Sequence, residues 1–296
     1  MSHHPDHPDV LEATLDCYDP AERSAALRTL LQQAERGEIR LPAAGTAVNL
    51  HAHTFYSYNA YGYSPTGFAW RARKVGLAAG GIVDFDTLDG VEEFLSASRA
   101  VGLPAVAGIE TRVFAPPFAA RVINSPGEPG IAYHMGVGFI TGPATPAQAE
   151  FVARLRRIAA DRNRGIVARV NPVLSPVELD YRRDVESLTP RGNATERHLC
   201  LAYARKARAR FGDGAELAAF WSDRLGCDAA GLDLPEGPRL QGEIRAKLMK
   251  RGGVGYVAPD QGAFPTLEEM NRFVAGAGAI PTIAWLDGTT EGERAI

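Results

Sequence analysis

The chemistry of this sequence starts with two histidines, two residues apart. His51 and His53 close the segment Val48-Asn49-Leu50-His51-Ala52-His53-Thr54, whose short apolar run reads as a buried strand. Side chains alternate along a strand, so His-x-His at its end puts two imidazoles on one face. Neutral imidazoles side by side are the natural beginning of a divalent-metal site. Three more histidines (His3, His4, His7) sit in a Pro/Asp-rich start that reads as a loose terminus.

Acids and a further histidine recur at the ends of later strand-like runs. Asp84 and Asp86 follow Gly81-Ile82-Val83, Glu110 follows Val106–Ile109, and His134 lies in Ala132-Tyr133-His134-Met135. In parallel α/β folds the C-terminal strand ends converge on one rim. Two His, an Asp, a Glu and a His on that rim make a divalent-metal constellation, in which a carboxylate can bridge cations and imidazoles complete each sphere. The expected metal ligands are therefore His51, His53, Glu110, His134 and Asp84, with Asp84 either a direct ligand or the acceptor that orients a histidine. Asp84, His134 and His198 are the candidates for proton transfer or phosphate contact. Arg169, read at a strand end, and Arg197 are candidate phosphate clamps. Tyr56, Tyr58, Tyr61 and Tyr63 read first as the packing of a lid loop, with stacking on a base or sugar near the mouth as the functional alternative. The basic run Arg205, Lys206, Arg208 and Arg210 reads as a solvated helix face.

These residues need elements to carry them. Strand-like runs fall at Ala47–Leu50, Gly80–Val83, Pro104–Ile109, Ala132–Ile140, Gly165–Val170, Val254–Val257 and Ile280–Ala284. Helix starts are signalled between them by Asp19-Pro20, Ser64-Pro65, Asp89 with Glu92, Thr145 with Gln148, and Thr266 with Glu269. The third predicted helix after residue 47 has Phe151, Leu155, Ile158 and Ala159 as its inner stripe. Strand–helix alternation predicts a mainly parallel sheet, open or closed into a barrel. Helical, Ala/Arg-rich text then dominates, including His198–Arg210 and Ala215–Leu225. The expected organisation is an N-terminal helical extension over 1–46, a first barrel part over 47–171, a helical insertion over 172–250 and a barrel continuation over 251–296. Thr290-Glu291-Gly292-Glu293 reads as one more helix start close to the end of the sequence.

Composition narrows the class. The chain has 296 residues, 45% hydrophobic and 23% charged, with a formal net charge of −3. That is ordinary for a globular protein and gives no global attraction to a polyanion. No apolar stretch reaches the roughly 18 residues of a membrane span. Cys17, Cys200 and Cys227 are widely spaced and read as free thiols, so a cytoplasmic location is expected.

Taken together, His51-Ala52-His53-Thr54, Ile82-Val83-Asp84-Phe85-Asp86-Thr87-Leu88-Asp89-Gly90, Gly108-Ile109-Glu110 and His134-Met135-Gly136-Val137-Gly138 resemble successive motifs of the PHP (polymerase and histidinol phosphatase) superfamily. The resemblance spans about residues 46–288 and continues through Arg197-His198-Leu199, Gly255–Pro259 and Ile280–Ala284. It implies a distorted seven-stranded (β/α) TIM-like barrel with a helical insertion, here stopping before the last strand. It also implies up to three metals and hydrolysis of a phosphoester: a phosphomonoester, a nucleotide or a nucleic-acid end. Departures reduce the metal count. Phe85 stands where the family usually has a histidine, Tyr58-Asn59 fills a stretch that often holds another ligand, Ala284-Trp285-Leu286 replaces Ala-His-Pro, and the final Asp-x-His motif is absent. A carbon ring cannot donate a lone pair to a cation. The expected cofactor is thus one or two ions of Mn, Fe or Zn rather than three; Asp287 reads first as a turn residue before Gly288, with a substitute carboxylate ligand as the alternative. The expected partner is a small phosphorylated substrate or nucleotide, with nucleic acid only as substrate and no membrane. Two other readings stay open: a degenerate barrel that binds metal or nucleotide without turnover, and a metal-dependent C–N hydrolase.

Overall fold

The structure, a computed structural model, describes residues 6–259 and 262–285 together with residue 294. Asp287 and the helix start at Thr290 lie outside the described residues. Two short N-terminal helices, α1 (Pro8–Thr14) and α2 (Pro20–Glu35), precede the first strand. Asp19 caps α2 by accepting from the Ala21 and Glu22 amides, as the Asp-Pro signature requires. The extension is pinned by Arg23, which is 1% exposed and forms a bidentate pair with Glu93 while also donating to the Cys17 carbonyl.

Strand and helix then alternate: β1 (Val48–Ala52), α3 (Pro65–Lys74), β2 (Ala79–Phe85), α4 (Val91–Val101) and β3 (Ala105–Phe114). β1, β2 and β3 pair in parallel. β2 is buried along most of its length, matching its unbroken apolar text. Gly90, not Asp89, occupies the N-cap of α4. Asp89 instead pairs with Arg156 at 2.5 Å.

From here the alternation breaks. β4 (Ile131–Val137) returns antiparallel to β3, and β5 (Ile280–Ile283) is antiparallel to β4. The sheet of the described residues is five-stranded, in the order β1-β2-β3-β4-β5, with Val48, Leu50 and Ile280 exposed along its outer strands. The reversal depends on Gly108: a Cβ there would lie 2.0 Å from the Gly136 carbonyl oxygen. Gly136 in turn lets Val274 of α9 (Leu267–Gly276) sit directly on β4.

Two expected strands are absent. Gly165–Val170 belongs to α5 (Pro146–Leu174), a single 29-residue helix started by the Thr145/Gln148 capping box. Ile166, Val167, Val170 and Leu174 extend the stripe of Val152, Leu155 and Ala159 at helical spacing, so the short apolar run is one face of a longer period. Val254–Val257 is turn and irregular chain. The helices that follow α5 are α6 (Glu196–Phe211), α7 (Ala215–Leu225) and α8 (Pro238–Ile244).

The apolar residues form two main clusters. One joins α1–α4, the sheet, the first half of α5 and α9. The other joins the second half of α5 to α6, α7 and α8, with Trp221 and Tyr203 fully buried. α5, about 44 Å long at 1.5 Å per residue, thus enters both. Among the described residues no helix is long and apolar enough to cross a membrane, and Cys17, Cys200 and Cys227 are free thiols.

The close approach at Gly108 gives a direct test. Gly108→Ala should destabilise the protein by about 3 kcal/mol or more in urea unfolding, because the clash is with backbone and cannot relax by a rotamer change. Gly276→Ala, with nothing within 4 Å in the last turn of α9, should be neutral or stabilising by up to about 1 kcal/mol.

Candidate metal centre

His51, on β1, and His53, just past its end, both face the buried Glu110 of β3. His51 Nε2 lies 2.9 Å and His53 Nε2 3.3 Å from Glu110 Oε2, and the ligand atoms of all three residues lie within 4.8 Å of one another. Three protein donors about 2.1 Å from a common tetrahedral cation would stand about 3.4 Å apart. The observed spacing therefore fits a divalent ion after small adjustment, and three ligands leave one position open. Among the described residues this is the one such group of His, Cys, Asp and Glu.

The electrostatics agree with a site built for positive charge. Burial works against the Glu110 carboxylate, yet hydrogen bonds from His51 and His53 outweigh it and hold its pKa below the usual range. The hydrogen bond to Glu110 raises the pKa of His51. His53 is fixed from above and behind. The Phe85 ring stacks on it at 4.6 Å and 9°, and Asn59 donates to its carbonyl at 2.8 Å.

Asp84 is not among the three. It is 1% exposed at the end of β2 and accepts from the Thr54 amide at 2.6 Å, the Thr54 hydroxyl at 2.7 Å and the Ser57 hydroxyl at 2.7 Å. It thereby clamps the loop that carries His53. Ser57 Oγ also lies 3.5 Å from His53 Nδ1. Burial raises the Asp84 pKa despite these donors.

The structure does not bring His134 to the cluster. The antiparallel register puts Met135 opposite Glu110 and His134 opposite Thr111. With alternating side chains, His134 projects to the other face of the sheet, where its Nε2 meets Asn271 Oδ1 of α9 at 2.8 Å. His198 is likewise away from the triad. At the third position of α6, its Nδ1 accepts from the Thr195 amide at 3.0 Å, and its ring stands edge-on to Tyr58. Arg169 lies on α5, not at a strand end, and donates to the Gly255 carbonyl at 2.8 and 3.3 Å.

A cavity of about 260 Å³ opens beside the triad, between the sheet and the α5–α6 helices. His53, Phe85 and Asp86 form part of its wall, together with Tyr58 and Arg197. Arg197, read from the sequence as a candidate phosphate contact, lines this cavity. Arg112, Arg162, Arg245 and Lys250 also line it, and sequence reasoning missed them. One signal was present: Arg162 continues the inner stripe Leu155, Ile158, Ala159 of α5, where a charged residue is out of pattern. Of the tyrosines, Tyr58 lines the cavity and donates to Gln241 Oε1 at 2.9 Å, whereas Tyr61 is exposed and stacks on Tyr63. Arg205, Lys206 and Arg208 form surface ion pairs with Glu236, Asp184 and Asp213.

No protein-family model and no curated protein matches the sequence. The fold is similar to several solved structures. One is a protein from Bifidobacterium adolescentis assigned as a metal-dependent phosphoesterase, with 18% identity over 82% of this chain and 68% of that chain, at a TM-score of 0.56. Another is an amidohydrolase from Chromobacterium violaceum, solved with sulfate and no metal, with 20% identity over 83% of this chain and 69% of that chain, at a TM-score of 0.53.

Burial lowers the pKa of His198 to about 4, and its capping Nδ1 must stay unprotonated to accept. A base whose folded pKa is depressed stabilises fully above its unfolded value near 6.5 and loses that contribution as pH falls toward 4. Gln at the same position completes a capping box without titrating. Between pH 7 and pH 4, wild type should therefore lose about 3 kcal/mol relative to His198→Gln, measured by urea unfolding of both proteins. A constant difference across that range would contradict the assignment.

Proposed function

We propose that this chain is a divergent PHP-superfamily hydrolase, built on a distorted barrel of that family, that cleaves a small organic phosphoester with one divalent ion held by His51, His53 and Glu110. The observation that carries the reading is the His/His/Glu triad with an open position at the wall of a cation-lined cavity. A bound divalent cation there supplies Lewis acidity and an acidified water at neutral pH. Manganese, iron and zinc all suit this nitrogen and oxygen donor set.

The chain's own residues do the rest. Glu110 supplies the carboxylate that neutralises the centre, and its burial keeps water from competing for it. Asp84 fixes the loop of His53 through Thr54 and Ser57, a positioning role. Phe85 stacks on His53 and offers no lone pair where the resembled family usually has a histidine, so it would hold the ring of a ligand and not the ion itself. Arg197 and the other cations of the cavity stabilise charge on phosphoryl oxygens. A walled cavity of this size suits a phosphomonoester or nucleotide, or the end of a nucleic acid, rather than a continuous strand.

Cleavage of a C–N bond is the second reading. It is favoured by the fold shared with the amidohydrolase, since the same triad would serve. The positive lining favours an anionic substrate over a neutral amide.

Metal analysis and a substrate panel separate these. After stripping and reloading, wild type should hold about one Mn, Fe or Zn per chain and hydrolyse an aryl phosphate or a nucleotide but not N-acyl amino acids. His53→Ala should lose the ion and at least about 100-fold of kcat/KM. Asp84→Asn should keep the ion with about 10- to 100-fold weaker affinity. Stoichiometric metal without turnover on any phosphoester would leave only a binding protein, and turnover confined to amides would establish the second reading.

A further inference from the structure

We infer that the cavity beside the triad contains an oxyanion subsite, centred on Arg162 with Arg197 as second contact, that binds phosphate or a like oxyanion without any metal. Arg162 sits on α5 where the apolar stripe Leu155, Ile158, Ala159 meets the cavity. A guanidinium in such a place is costly unless something answers its charge.

Carboxylates answer the other deep cations. Arg112 donates to Glu128 at 2.8 Å, while Arg245 at 2.5 Å and Lys250 at 2.9 Å share Glu196. Neither the Arg162 nor the Arg197 side chain makes a hydrogen bond or ion pair to a described residue. The Arg162 guanidinium carbon instead lies 5.4 Å from the Phe264 ring; Arg112 stacks on the same ring at 4.3 Å. Enclosure, and then the like charge of Arg112, push the Arg162 pKa down to about 10, so it remains charged at neutral pH.

The groups around it are mixed in sign. Asp86 is on the wall, accepting from the Thr111 hydroxyl at 2.5 Å, and its charge, with those of Glu196 and Glu128, acts on Arg162 without a direct hydrogen bond. Thr195, Glu196 and Arg197 bring the first turn of the 16-residue α6 to the same cavity, where the positive end of the helix dipole adds to the field. The cations Arg112, Arg162, Arg197, Arg245 and Lys250 outnumber Asp86, Glu196 and Glu128. An oxyanion bonded by the planar fork of Arg162 would supply the directly bonded anion that none of these carboxylates provides.

The inference rests on the proposed function only for the identity of the molecule that brings the oxyanion. Its test needs no metal and no turnover. Metal-stripped protein is titrated with inorganic phosphate by calorimetry at constant ionic strength, with chloride as control. Wild type should bind one phosphate saturably. Arg162→Met should weaken binding by about tenfold or more, with its fold checked by near-UV circular dichroism. Arg197→Met should weaken it less. Repeating the titration of wild type with a neutral metal chelator present should leave the affinity unchanged. Absence of saturable binding in wild type, wild-type affinity in folded Arg162→Met, or loss of binding with the chelator would each overturn the subsite. Should Arg162→Met not fold, Arg162→Lys, which keeps the charge and loses the planar fork, decides it: wild-type affinity there would overturn the subsite as well.

Discussion

A carboxylate with 4% of its surface exposed cannot be left without partners, and Glu110 sets the terms for everything near it. Its charge is held by two imidazoles that arrive from a different strand, at 2.9 and 3.3 Å. The parallel register of β2 with β3 pairs Phe85 with Glu110, and this brings the aromatic ring that stacks on His53 onto the same face. The triad is thus a product of sheet register as much as of residue type. A shift of one residue in β3 would turn Glu110 to the opposite face and leave the imidazoles facing Ile109 or Thr111.

The second constraint is the position of the loop after β1. Asp84 spends its carboxylate on three donors from Thr54 and Ser57, so the histidine pair is anchored to β2 as well as to its own strand. Asn193, just before α6, donates to the carbonyls of Tyr56 at 3.1 Å and Phe85 at 2.7 Å. Asn163 of α5 donates to the Ala194 carbonyl at 2.8 Å. These bonds fix the helical part against the metal-side loop, and the cavity is the space left between two apolar clusters that share α5.

Local signals carried much of the fold. Ser64, Thr145 and Thr266 cap the helices they were expected to start, because capping is decided within four residues. The misreadings came where a short window was ambiguous. Gly165–Val170 has the length and branching of a strand, yet it belongs to α5, since only the register of the whole apolar stripe distinguishes the two. The direction of β4 was equally invisible: an apolar run has no sign, and whether it returns parallel or antiparallel depends on what the 114–131 connection allows.

The sequence by itself determined the chemistry available: a His-x-His pair, a glutamate within apolar strand text, and an aromatic residue following Asp84, all written in residue type and spacing. Tertiary structure alone decided which of these meet. It joined His51, His53 and Glu110, sent His134 to the far face, tied Arg169 to Gly255, and brought Arg162 into the cavity. Metal coordination and charge compensation act over 2 to 4 Å between residues far apart in the chain, and that separation is set by pairing register and helix packing, which no local pattern encodes.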